Sequence, residues 1–520
     1  MPSKPSRPRS PAEARLATHA PAPAGGTPVV RNPLIYEINA WVWLDELGRR
    51  NGIPVDLASV PPSEWDRIRE LGFNAVWLMG VWERSPAGIA IALQDEDLNA
   101  SFRRALPDVG PEDVVGSPYC VRRYTVDAHL GGQEGLATAR AALAERGLAL
   151  ILDFVPNHVA PDHPWTEDHP EYFVLGTEED LERDPASFIG VRDRVLANAR
   201  DPYFPAWPDV VQLNAFSPGL RAATVDTVTS IAAQCDGVRC DMAMLMMNDI
   251  FDRTWRERAG PRPDDEYWPT VISSVRGAHP DFVFIAEAYW DLEWALQQHG
   301  FDYCYDKRLY DRLVDDGAEE VRGHLSGDDG YQGQLVRFIE NHDEPRAAAV
   351  LPGGRARAAA VVALTQTGAR LVHDGQLEGR RVHVPVFLAR RPDETTDLAL
   401  KAFYERLLTA LDDRGFRNGQ WQLAECGGWA GNDTWQNLVA WGWRGEPCRL
   451  VIVNLGDVHA SGDVSLPWDE LRGGAWQLDD AATGKRYERS GDDLRDRLYV
   501  ALEPWSWHLF TLTPLDPPED

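Results

Sequence analysis

Several apolar runs in this chain end in groups that could act on a substrate. Leu148-Ala149-Leu150-Ile151-Leu152 ends in Asp153, with Asn157 and His158 close behind. Gly237-Val238-Arg239-Cys240 ends in Asp241, Phe282-Val283-Phe284-Ile285-Ala286 ends in Glu287, and Val336-Arg337-Phe338-Ile339 leads to His342 and Asp343. Two carboxyl groups about 5–5.5 Å apart suit cleavage of a glycosidic bond with retention: one attacks as nucleophile and the other, protonated, delivers the proton. Arg239 lies two residues before Asp241 and so shares its side of a strand. A guanidinium there holds the Asp241 carboxylate ionised. Glu287 stands among Ala286, Ala288, Tyr289 and Trp290, where desolvation raises a carboxyl pKa and keeps it protonated. A single Asp at a strand end is ordinarily a cap or an ion-pair partner. The repetition at three run ends is what points to chemistry.

The elements that position these groups repeat as a unit. From Gly131, Leu136, Ala139 and Leu143 fall at helical spacing, Gly147 caps the helix, and an unbroken apolar run follows. A strand covered on both faces reads as such a run, without alternation. The stretch Glu64–Leu71, stopped by Gly72 and followed by Ala75-Val76-Trp77-Leu78, has the same form. Leu34–Ile38, Phe301–Tyr305 and Ala369–His373 complete eight candidate strands. Alternating β and α elements predict a parallel sheet, and eight strands predict closure into a (β/α)₈ barrel with its catalytic groups at the C-terminal strand ends. On neighbouring strands about 4.8 Å apart, Asp241 and Glu287 would face each other. No G-x-G-x-x-G follows any of these strands, which argues against an open dinucleotide-binding sheet.

The expected organisation is α/β: a disordered tail over residues 1–30, a TIM barrel over 31–412, and a C-terminal all-β sandwich over 413–520. A small subdomain, residues 159–213, is expected as an insertion after the third strand, because a Pro-, Asp- and aromatic-rich loop of that length is uncommon unless functional. Leu400, Phe403, Tyr404, Leu407, Leu408 and Leu411 give the helix that closes the barrel its apolar face. After about Asp413, short apolar segments separated by turn residues read as β. Trp441 and Trp443, and Trp505 and Trp507, alternate along their strands and are expected to pack on the barrel.

With a formal net charge of −29, the chain repels phosphate backbones and anionic lipid surfaces, so neither nucleic acid nor a membrane is an expected partner. None of the six cysteines forms a Cys-x-x-Cys pair or a zinc-ligand spacing, and free thiols are expected. Residues 1–30 are rich in Pro, Ala and Arg and lack the apolar stretch of a secretory signal. A cytoplasmic location follows as the expectation.

Four segments carry a family resemblance. They are Asp153-Phe154-Val155-Pro156-Asn157-His158, Gly237-Val238-Arg239-Cys240-Asp241, Phe284-Ile285-Ala286-Glu287 and Glu340-Asn341-His342-Asp343, with Ser117-Pro118-Tyr119 as a fifth, weaker match. In content and order they resemble the α-amylase superfamily of retaining glycoside hydrolases. The resemblance implies Asp241 as nucleophile, Glu287 as general acid/base and Asp343 as the carboxylate that holds sugar hydroxyls. It implies Tyr119, Asp153, His158, Arg239 and His342 as the groups around the sugar at the cleavage point. It implies an α-linked glucoside or malto-oligosaccharide as substrate and requires no cofactor, with calcium an option at Asn157. Transfer to a sugar hydroxyl, as in an α-glucan transglycosylase, uses the same residues. A non-catalytic binding or assembly subunit of this family would usually lack one of the three carboxylates, and all three are present. The chain also departs from the family: a Lys-His pair common after the nucleophile is Met244-Leu245, and an Asp common near the end of the insert is absent from Val211-Gln212-Leu213-Asn214. The apolar run Met242–Met247 is either an unusual acceptor side or core packing. Linkage and chain-length preference are expected to depend on loops near Trp41, Trp82 and residues 159–213. The sequence leaves the oligomeric state open.

Overall fold

A computed structural model describes residues 27–412 and 414–515. Most of the expected tail, residues 1–26, lies outside the described residues.

The eight expected strands are the staves of one closed parallel barrel. They are β1 (Leu34–Asn39), β2 (Ala75–Met79), β3 (Ala149–Phe154), β4 (Gly237–Cys240), β5 (Val283–Ala286), β6 (Tyr303–Tyr305), β7 (Leu335–Arg337) and β8 (Ala369–His373). Closure comes from β8 pairing with β1, Leu34 opposite Arg370 and Glu37 opposite His373. Alternate side chains split between two apolar environments. Ile35, Trp77, Ile151, Ile285, Val336 and Leu371 fill the barrel's interior. Tyr36, Val76, Leu150, Leu152, Val238 and Phe284 pack outward under the helices. Each full burial of a Leu or Val here contributes roughly 1.5–3 kcal/mol, and covering both faces explains the unbroken apolar runs. The helices end as anticipated: Gly72 and Gly147 adopt left-handed backbone, φ +89° and +66°, a conformation that costs glycine nothing.

Two excursions rise from the C-terminal face of the barrel. After β3 comes a four-stranded antiparallel sheet, ordered 158–159, 207–212, 194–199, 188–191, in the expected position. The second, between β2 and β3, went unread in the sequence. It contains helices Pro86–Ala92 and Glu96–Ala105, flanked by the paired strands Trp82–Arg84 and Val121–Val126.

The C-terminal region is mainly β, a six-stranded sheet against a three-stranded one, with short helices at Arg414–Asn418 and Gly491–Asp496. Leu438, Ala440, Leu450 and Ile452 point between the two sheets, while Val439, Trp441, Trp443, Val451 and Val453 join the core under the barrel. The indole N–H groups of Trp441 and Trp443 both donate to the carbonyl of Thr365, at 3.2 and 2.9 Å. Trp505 and Trp507 are half-buried. Trp505 lies against Gly354, and the Trp507 ring sits 5.3 Å from that of Phe403 on the closing helix Leu398–Leu411. All four tryptophans therefore pack on the barrel.

Candidate active site

Backbone pairing sets the geometry. Arg239 lies opposite Ile285, and Cys240 opposite Ala286. The next residues on these neighbouring staves, Asp241 and Glu287, emerge side by side at the barrel mouth. Their backbones are tied: Asp241 N donates to Phe154 O at 2.8 Å, and Glu287 N donates to Cys240 O at 3.0 Å. One guanidinium then spans both side chains. Arg239 Nη1 is 2.7 Å from Asp241 Oδ1, and Nη2 is 2.9 Å from Glu287 Oε2. Arg239 is held in turn by three aromatic faces, Trp77, Tyr119 and Tyr305, at 5.4, 5.1 and 5.6 Å. Such cation–π contacts suit a desolvated guanidinium.

The third carboxylate comes from beyond β7. Asp343 Oδ2 lies 3.0 Å from His342 Nε2. The other imidazole nitrogen of His342 meets Glu37, from β1, at 2.5 Å, and the Tyr119 hydroxyl also reaches His342. A cation between two carboxylates is stabilised more than burial disfavours it, so the His342 pKa rises to about 10. His342 is thus an imidazolium at neutral pH. Against the desolvation of the cleft, this imidazolium draws the Asp343 pKa down to about 2.

Burial dominates at the other two carboxyls. It lifts Glu287 to about 7, with Arg239 opposing and the charge of Asp241 adding. Asp241 is raised above its ordinary value as well, since desolvation outweighs the guanidinium beside it. That corrects the expectation that the Arg239 guanidinium would hold Asp241 ionised: burial outweighs it. Asp241 and Glu287 titrate as a pair, and Glu287 is the partner suited to carry a proton near pH 7.

A cavity of about 480 Å³ opens above these groups, lined by Asp241, Glu287, Asp343, Tyr119, His158 and Tyr289 among others. His158 Nε2 is 4.0 Å from Asp241 Oδ2, and burial lowers its pKa to about 3, so it faces Asp241 as a neutral ring. Arg239, His342 and Asp153 stand behind this lining. Asp153 is 1% exposed, accepts from Gly80 N at 3.2 Å, and is raised by burial to about 6. Sequence reasoning missed Glu37 and Tyr305, each of which touches a site residue from across the barrel. A charged residue inside the apolar run Leu34–Ile38 was the available signal for Glu37. It also missed the Met242 backbone N–H, which donates to Glu287 Oε2 at 2.6 Å, and the Tyr289 hydroxyl, which donates to Glu287 Oε1 at 2.9 Å.

Comparison with known proteins supplies the lineage. Residues 62–309 match the profile of the alpha amylase catalytic domain. The alpha-amylase MalA of Haloarcula japonica is 26% identical over 400 residues, covering 73% of this chain and 49% of its own. Residues 62–309 of this chain are thus similar to an α-amylase catalytic domain. An alpha-1,4-glucan:maltose-1-phosphate maltosyltransferase of Burkholderia pseudomallei is 28% identical over 262 residues, covering 49% of this chain and 19% of its own. The chain therefore spans about half or less of these relatives' lengths. Among solved structures, a maltogenic alpha-amylase, AmyB, of Thermotoga neapolitana superposes with a TM-score of 0.66 at 19% identity, over 94% of this chain and 100% of that one.

The structure bears on three further sequence readings. The loop after Trp82 brings Ile91, Ala92, Asp95 and Leu98 to the cavity, while Trp82 itself is buried and donates its N–H to Asp153 O at 2.8 Å, and Trp41 stacks on His129. Residues Ala243–Met246 are at most 2% exposed core, and only Met242, with left-handed φ +42°, reaches the cavity. The run is therefore packing, apart from its first residue. Asn157 is 1% exposed and its carboxamide is bonded to Gln212. A hard cation needs free oxygens with charge among them, and this donor set does not fit calcium. Among the described residues no group of three His, Cys, Asp or Glu side chains could hold a metal ion.

Proposed function

We propose that this chain is a retaining glycosidase acting on α-linked glucosides or malto-oligosaccharides through a covalent glycosyl-enzyme intermediate. The observation that carries the reading is the single guanidinium of Arg239 bonded to Asp241 and Glu287 on adjacent staves. Two carboxyls sharing one guanidinium are held close together, which favours the retaining arrangement, where they stand about 5–5.5 Å apart, over the wider inverting one. In the first step the Asp241 carboxylate attacks the anomeric carbon while Glu287 protonates the departing glycosidic oxygen. The sugar is then esterified to Asp241 and Glu287 is left as carboxylate. In the second step Glu287 takes a proton from water, whose oxygen displaces Asp241, and the anomeric configuration is restored. Asp343, held anionic by His342, accepts hydrogen bonds from ring hydroxyls and favours the cationic transition state. Tyr119 offers an aromatic face, and neutral His158 a hydrogen-bonding edge, to the same sugar.

Transglycosylation is the second reading, and one observation favours it. A further cavity of about 490 Å³ shares Met242 and Tyr289 with the first and is lined by Phe204, Trp290, Lys307 and Arg308. Both shared residues touch Glu287, so this space is on the leaving-group side, where an acceptor sugar would compete with water. The similarity to a maltosyltransferase supports the same alternative.

A substrate panel of maltose, trehalose, sucrose, malto-oligosaccharides and isomalto-oligosaccharides tests both readings. α-Configured first-formed products from the α-1,4-linked members, seen by proton NMR, are expected. β-Configured products, or no turnover of any member, would overturn the assignment. Products longer than the substrate would establish transfer. A cytoplasmic setting suits the six free cysteines, and no described helix is long and apolar enough to cross a membrane.

A further inference from the structure

The inserted sheet meets the barrel where strand 158–159 pairs antiparallel with strand 207–212, His158 opposite Gln212. Gln212 is 0% exposed. Its amide nitrogen lies 3.0 Å from the Asn157 carbonyl, 2.9 Å from Asn157 Oδ1 and 2.9 Å from the Leu213 carbonyl. Its oxygen accepts from Asn157 Nδ2 at 3.3 Å and from the Arg200 backbone N–H at 3.4 Å. Backbone groups fix this orientation. Two of the three oxygens around the amide nitrogen are peptide carbonyls, which can only accept. A flipped carboxamide would set oxygen against both carbonyls and strand the Arg200 N–H.

Three convergent oxygens at one point are what a hard divalent cation collects, at 2.3–2.6 Å and with carboxylates among them. Here the three are neutral, and the NH₂ of Gln212 stands among them. We infer that the Gln212 carboxamide occupies the position a calcium ion would take at Asn157, and that it joins the His158 loop to the inserted sheet without metal. A cation could enter only by expelling a buried amide and leaving its polar atoms unpaired, which is unfavourable. The junction bears on the site because His158, on one strand, and Trp207, at the start of the other, both line the catalytic cavity.

Thermal melts of the full chain, with and without calcium chloride, test the inference. Wild type should melt at one temperature in excess EDTA and in excess calcium chloride. Gln212→Glu removes the donors and adds a carboxylate to the same three oxygens. It should melt roughly 5 °C or more below wild type in EDTA and recover on adding calcium. Gln212→Met should melt low in both. A wild-type melting temperature that drops in EDTA would overturn the proposal, even if neither variant folds. So would a Gln212→Glu protein that matches wild type in EDTA, or one indifferent to calcium.

Discussion

At the barrel mouth, Asp241 and Glu287 are 5% and 3% exposed and lean on one shared guanidinium. In the seam beneath the barrel, Trp441 and Trp443 are 0% exposed, and each has its single polar atom satisfied by the Thr365 carbonyl. Burial is equally deep in the two places and has opposite consequences. In the seam, apolar area leaves water and both of these indole donors find an acceptor, so their burial stabilises. At the mouth, burial raises Asp241, Glu287, Asp153 and Glu340 above their ordinary pKa values, which is work done against their ionisation. Such a site is held together by the rest of the fold rather than contributing to it.

Substitutions at the two places should therefore separate activity from stability. Asp241→Asn is expected to cut kcat by roughly 10⁴-fold while leaving the melting temperature unchanged or higher. A melt well below wild type would break the contrast. Glu287→Gln should lose about 10²–10⁴-fold on oligosaccharides and much less on aryl glucosides whose phenolate departs without a proton. Equal losses on both would remove Glu287 from the acid role. In the seam, Trp443→Ala should lower stability by about 3–5 kcal/mol in urea titration, with kcat per folded molecule unaltered.

The smallest effect is a slope. Glu287 moves from an ordinary 4.5 to about 7 in the folded protein. Between those values the native state binds the proton and the unfolded chain has released it, so stability falls as pH rises. Glu287→Gln should flatten that part of the stability profile, measured as urea midpoints from pH 4 to 8. In wild type the alkaline limb of kcat/KM should lie near pH 7, where Glu287 loses its proton. A limb near pH 9 would put a different group in control.

Most staves were legible because they are covered on both faces, which leaves a largely apolar run. The three carboxylates were legible because they end such runs. What stayed hidden depends on ring closure. Glu37 meets His342 across 305 residues of chain, a pairing set by the contact of first and last staves that no local pattern records. The helices Pro86–Ala92 and Glu96–Ala105 are short, and neither lies on a stave-to-stave period. The titration of Asp241 was misjudged because sequence spacing shows the guanidinium beside it but not the burial that outweighs it.

Gly237, where β4 begins, has a consequence for the far end of that strand. A methyl group there would sit 3.0 Å from the Val283 carbonyl and 3.2 Å from its Cβ, prying β4 from β5 four residues below the acidic pair. The closeness of the acidic pair is thus prepared at the foot of the cylinder: a missing side chain lets two staves start near enough to bring Asp241 and Glu287 together at the mouth.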